Sequence, residues 1–154
     1  MDINEFERRL RALARREGLT FATFATLPAA DRTVLVATLT RRFDIDTAYR
    51  EREVNERLKA WLSSAGAMIE TDHVHVRRWL IDTGVMVRTP DCAEYRLSAA
   101  TAASRAATPA DIVALDPEAI VASTRREASE IRSRRKAEWL ARTPVAQTPG
   151  AVRK

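Results

Sequence analysis

The chain has 154 residues, 45% of them hydrophobic, which suits one domain with a modest core and extensions. Its 26 Lys and Arg against 21 Asp and Glu leave a net charge of +5, a balance that favours polyanionic partners without specifying one. The single cysteine, Cys92, excludes an intramolecular disulfide and a four-cysteine zinc site, and no apolar run approaches the ~18 residues of a membrane helix.

The opening MDINEFERRL is acidic and amphipathic, so no signal peptide is expected and a reducing cytoplasm is the expected location. Asp2 and Glu5 stand at capping-box spacing, and Phe6, Leu10 and Leu13 share one helical face that Gly18 terminates. Residues 1–26 thus read as an amphipathic helix with a connector, and Pro28 starts the next element. Asp31 to Phe43 carries Val34 or Leu35, Leu39 and Phe43 at helical spacing. Glu51 to Leu62 is more regular, with Val54, Leu58, Trp61 and Leu62 in a stripe. Ser63 to Thr71, small and containing Gly66, reads as a loop or short turn.

From Asp72 a short amphipathic helix, DHVHVRRWLIDT, runs into Gly84. Two alternating strands follow, VMVRT and AEYRL, joined by a turn at Pro90-Asp91, so 85–97 is expected as a hairpin. A helix pair leading into a hairpin is the outline of a winged helix-turn-helix over residues 27–97. The fold class is therefore mainly α with a small β-hairpin: a winged-helix-like core flanked by N-terminal and C-terminal helices. Residues 98–116 are alanine-rich, a linker or helix in context. Asp116-Pro117-Glu118 is a helix start, and 117–142 is expected as one basic helix. Residues 143–154 contain two prolines and a glycine without periodicity, and are expected to be a mobile tail.

The run Tyr49-Arg50-Glu51-Arg52-Glu53-Val54-Asn55-Glu56-Arg57-Leu58, then Val76-Arg77-Arg78-Trp79-Leu80-Ile81-Asp82-Thr83-Gly84, then Glu94-Tyr95-Arg96, resembles a bacterial family catalogued as domain of unknown function 2087. The resemblance covers about 27–97 and implies a small winged-helix-like unit, alone or joined to helix-turn-helix regulators, with no established catalytic residues. Arg50 stands where the family carries a Ser or Thr cap, a change that forfeits ~1 kcal/mol unless another residue caps. The segment between Leu62 and Val76 is also longer than the resemblance leads one to expect.

A 100° step per residue puts Val76, Leu80 and Thr83 on the buried side of the 72–83 helix. Val74, His75, Arg78, Ile81 and Asp82 lie broadly opposite, with Arg77 and Trp79 on the flanks. His75, Arg77 and Arg78 are therefore candidate nucleic-acid contacts, guanidinium pairing with guanine edges or phosphates. The alternative is that Arg77 or Arg78 pairs with Asp82 or Glu53 and fixes the domain. Arg88 and Arg96 are candidate hairpin contacts to the DNA backbone, or simply outward residues of an alternating pair. Arg132, Arg134, Arg135 and Lys136 are dense enough to meet phosphates without reading sequence, whereas Arg125 to Glu130 reads as a solvated, i,i+4-paired face.

Asp72, His73, His75 and Cys92 are the conceivable metal set, but i and i+2 on a helix point about 200° apart, so no metal is expected. Acidic neighbours Asp91 and Glu94 disfavour the Cys92 thiolate, and no nucleophile elbow or phosphate cradle exists, so no catalytic residue and no cofactor is expected. The sequence reading is a cytoplasmic DNA-binding transcriptional regulator whose partner is duplex DNA. The alternatives are a protein-interaction or scaffold module, pairing through exposed Ile81 and Trp79 with itself or another protein, and an RNA- or ribosome-associated protein. The helix 117–142 is expected to pack lightly, so that cutting the chain after Leu115 leaves the 27–97 core folded.

Overall fold

In a computed structural model of the chain, residues 1–143 are described. The expected tail 143–154 falls, apart from Thr143, outside them. The fold is mainly helical with small strand pairs. The helices are α1 (Ile3–Ala14), α2 (Phe21–Ala25), α3 (Ala29–Thr40), α4 (Glu51–Leu62), α5 (His73–Asp82), α6 (Ala99–Ala106), α7 (Ala110–Ala114) and α8 (Pro117–Arg142). The strands are β1 (Leu19–Thr20), β2 (Ile69–Glu70), β3 (Met86–Arg88) and β4 (Tyr95–Leu97).

Most boundaries follow local chemistry. Asp2 caps α1 by accepting from the Glu5 N–H at 2.8 Å, and Asp72 caps α5 by accepting from the His75 N–H at 2.9 Å. Arg50 begins α4 without a side-chain acceptor, and the compensation comes from the other half of the capping box. The Arg50 N–H donates to Glu53 Oε2 at 2.8 Å. Helix α5 ends at Gly84, whose φ of 73° is the left-handed conformation that closes a helix without a Cβ penalty. Helix α3 begins two residues before the expected Asp31 and stops at Thr40, yet Phe43 beyond it is still fully buried.

Leu10, Leu35, Leu39, Leu58, Trp61, Met68, Leu80, Met86 and Tyr95 form the centre of one apolar core. Trp61 enters it without an unpaired donor, because its indole N–H reaches Thr38 Oγ1 at 3.0 Å, and both groups are buried. The hairpin pairs Met86 with Leu97, Val87 with Arg96 and Arg88 with Tyr95. Tyr49, between α3 and α4, bridges Tyr95 from the other edge, with both backbone bonds at 2.8 Å. The hairpin is thus tied back to the start of α4. The 63–71 segment is a compact turn ending in β2, which pairs parallel with β1, Leu19 opposite Ile69 and Thr20 opposite Glu70.

Three expectations are corrected. Residues 98–116 are not an open linker: they form α6 and α7, docked by Arg105, which donates to the carbonyls of Thr40 and Phe43, and by Arg41, which donates to those of Leu115 (2.7 Å) and Ile112. Helix α8 does not pack lightly over its first turns. Ile120, Val121 and Thr124 are buried, and Thr124 Oγ1 accepts from Arg11 of α1 at 3.1 Å. On α5, Val76 and Leu80 are buried as expected but Thr83 is exposed, its hydroxyl donating to the Trp79 carbonyl at 2.7 Å, and Ile81 is half-buried against the core. Thr83 is the C-cap of α5, one residue past its last helical position, and Ile81 lines the cleft beside the hairpin.

Candidate nucleic-acid interface

Helix α5 leaves Val74, His75, Arg78 and Asp82 exposed, while α4 and the hairpin hold its other side. Between α5 and the hairpin lies a cleft of about 290 Å³, lined by Arg77, Arg78, Ile81 and Asp82 from the helix and by Arg88 and Tyr95 from the strands. Three of the predicted cationic residues therefore share one site. They are not equivalent. Arg77 is only 18% exposed, pairs with Glu51 of α4 at 3.0 Å and donates to Asn55 Oδ1. Its charge is used within the fold, though by Glu51 and Asn55 and not by Asp82 or Glu53. Glu51 also accepts from the Tyr95 hydroxyl at 3.4 Å. Arg78 and Arg88, both exposed, form no ion pair among the described residues.

The strand register separates the two hairpin arginines. Arg88 shares a face with Tyr95 and lies in the cleft, whereas Arg96 shares the opposite face with Val87 and pairs with Glu94 at 3.4 Å. His75 stands apart as well. Its Nδ1 lies 2.9 Å from Asp72 Oδ1, and its ring is 6.0 Å from that of Phe21. Hydrogen bonds from the His75 backbone and side chain hold the Asp72 carboxyl below its ordinary value. Trp79 lies half-buried, edge-on to Phe24 at 4.8 Å between ring centres.

At the hairpin tip, Asp91 accepts from the Thr89 hydroxyl and from the Ala93 N–H at 3.1 Å, which holds its carboxyl below the ordinary value. Cys92 next to it is half-buried with a left-handed φ of 57°. No three His, Cys, Asp or Glu side chains converge among the described residues.

The predicted phosphate contacts on α8 divide in the same way. Helix α8 runs beside α1 in the same direction, since Arg11 meets Thr124, Arg125 donates to the Ala14 carbonyl at 3.3 Å, and Arg132 pairs with Glu17 at 3.0 Å. Beyond that point α8 overhangs. Arg134, Arg135 and Lys136 are exposed and form no ion pair among the described residues, and Trp139 and Leu140 are 64% and 57% exposed. What the sequence did not single out are Glu51 and Asn55, which anchor Arg77. Both stand in the EREVNERL run, but nothing local in that run pointed to a partner more than twenty residues away.

The architecture defines a mainly helical domain in which a helix, a hairpin and a bridging segment before α4 form one unit. Residues 26–97, which carry that unit, match the model of a family described as an uncharacterized protein conserved in bacteria, DUF2087. No curated protein and no solved structure matches the chain. No helix among the described residues is long and apolar enough to cross a membrane.

Proposed function

We propose that the protein is a cytoplasmic DNA-binding protein acting as a transcriptional regulator, with α5 laid in the major groove and the hairpin against the backbone. The observation that carries this reading is the meeting of Arg78 and Arg88, from two different elements, in one exposed cleft where neither has an ionic partner. A guanidinium with free planar donors is suited to guanine edges and phosphates, and two on adjacent elements match a helix in a groove with a hairpin beside it. The order helix, bridging strand, two helices and hairpin, with Tyr49 completing the β3–β4 pair, also suits a winged helix.

The overhang of α8 adds Arg134, Arg135 and Lys136 as sequence-independent phosphate contacts. Arg77, Arg96 and Arg132 contribute less in this account, since each already has a carboxylate partner. The scaffold alternative loses its first support, because Ile81 and Trp79 are half-buried, but exposed Ile131, Trp139 and Leu140 on α8 keep a protein partner in play. A salt titration with random duplex DNA, single-stranded DNA and RNA tests the reading. Duplex should bind most tightly, with affinity falling linearly on log–log axes. Tighter binding to RNA at all salts, or no binding, would count against it.

A further inference from the structure

We infer that the groove bounded by α3, α6, α7 and the end of α5 binds a small organic anion with an apolar body, of the aromatic or aliphatic carboxylate class. This inference is independent of the DNA-binding reading and concerns the opposite side of α5 from the cleft. The groove has a volume of about 600 Å³, within the roughly 300–1,000 Å³ of small-molecule sites. Its body is apolar: Val36 and Ala37 of α3, Trp79 of α5 and Val113 of α7 line it. A concave, half-open pocket with apolar walls and a few fixed polar groups is the usual form of a ligand site.

The polar groups identify the ligand's charge. Arg32, Arg41 and Arg105 all line the groove, and none forms an ion pair among the described residues. Each is held by backbone carbonyls, which fix direction but leave the charge uncompensated. Arg32 Nη1 donates to Ala25 (3.0 Å) and Leu27 (2.9 Å), Arg105 Nη1 to Thr40 and Phe43, and Arg41 to Ile112 and Leu115. Each of Arg32 and Arg105 therefore keeps its Nη2 group without a partner among the described residues, so both retain donors for a carboxylate. Burial and the neighbouring Arg105 pull the Arg41 guanidinium below its usual value, with Asp116 acting in the other direction. Three like charges held around one apolar groove, none ion-paired to a carboxylate among the described residues, are relieved by an anion seated among them. A neutral ligand would gain less from them than an anion, and a cation would be repelled.

The full-length protein is titrated with anilinonaphthalene sulfonate, an apolar body carrying one anionic group, and in parallel with the uncharged phenylnaphthylamine. The expected result is saturable one-to-one binding of the sulfonate, about tenfold or more tighter than the neutral probe. Ser104→Phe places a bulky ring into the groove from an exposed position on α6 and should weaken sulfonate binding about tenfold or more. Thr33→Phe repeats the test from exposed α3, in case the first variant does not fold. The triple variant Arg134→Gln, Arg135→Gln, Lys136→Gln should leave binding unchanged. Equal affinity for the two probes, undiminished binding with either groove-filling variant folded, or loss of binding in the α8 triple variant would each overturn the proposal.

Discussion

Arg77 Nη1 lies 3.0 Å from Glu51 Oε1, so one of two adjacent arginines on α5 is tied to α4 while its neighbour Arg78 is not. Adjacent helical residues point about 100° apart, and here that rotation separates a structural cation from an available one. Arg77→Ala should therefore lower stability by about 1 kcal/mol, a value reduced from that of a buried charged bond because Glu51 is half exposed. Arg78→Ala should stay within about 0.5 kcal/mol while weakening duplex binding. Urea melts of both variants, read beside their DNA affinities, check the pair. A large stability loss in the Arg78 variant would reverse the assignment.

Leu80 is fully buried where α5 meets the core. Leu80→Ala should cost about 2–5 kcal/mol, the range for a buried leucine whose site collapses incompletely. Thermal or denaturant unfolding gives the number directly, and a near-neutral result would mean α5 is rotated from the orientation described.

Two truncations should behave differently. Cutting after Leu115 removes Pro117, Ile120 and Val121, all buried, and uncovers α1, so stability should fall by about 3 kcal/mol or more. Cutting after Glu130 removes the overhang and one exposed ion pair, Arg132 with Glu17, and should change stability by less than about 1 kcal/mol. The shorter cut should nonetheless flatten the log–log salt slope of duplex binding by about 3 units, one per lost contact from Arg134, Arg135 and Lys136. An unchanged slope would assign the overhang to a protein partner.

Gly66 sits under the Trp61 ring, and a Cβ there would lie 2.7 Å from Trp61 Cε3. Because the indole is buried and held by Thr38, it cannot swing aside cheaply. Gly66→Ala should destabilise by about 1–3 kcal/mol through overpacking, with near-ultraviolet circular dichroism reporting the shift of the indole. A neutral substitution would show that the 63–68 turn yields easily.

The helices most legible in the sequence are those with an apolar stripe, α1, α4 and α5, of which α1 and α5 also begin at a capping acid. The start of α8 was readable from Asp116-Pro117-Glu118 alone. The β1–β2 pair was not readable, since two-residue strands have no period and Leu19 meets Ile69 across fifty residues. Helices α6 and α7 were hidden for another reason. Helix α6 has no large apolar residue and α7 has only five residues, and what docks them is Arg105 and Arg41 reaching carbonyls more than sixty residues away. The exposed faces of His75 and Arg78 followed from rotation along one helix. The pairing of Arg77 with Glu51, and the parting of Arg88 from Arg96, needed the helix packing and strand register.

The most direct test is the affinity of Arg78→Ala/Arg88→Ala for a fluorescently labelled random duplex, measured by anisotropy across a salt series beside the unmodified protein. If the cleft between α5 and the hairpin meets DNA, the double variant stays folded, binds more weakly at every salt concentration, and has a salt slope flatter by up to about 2 units. Equal affinity and equal slope for the two proteins would contradict the account, because the two unpaired arginines would then lie away from the nucleic acid.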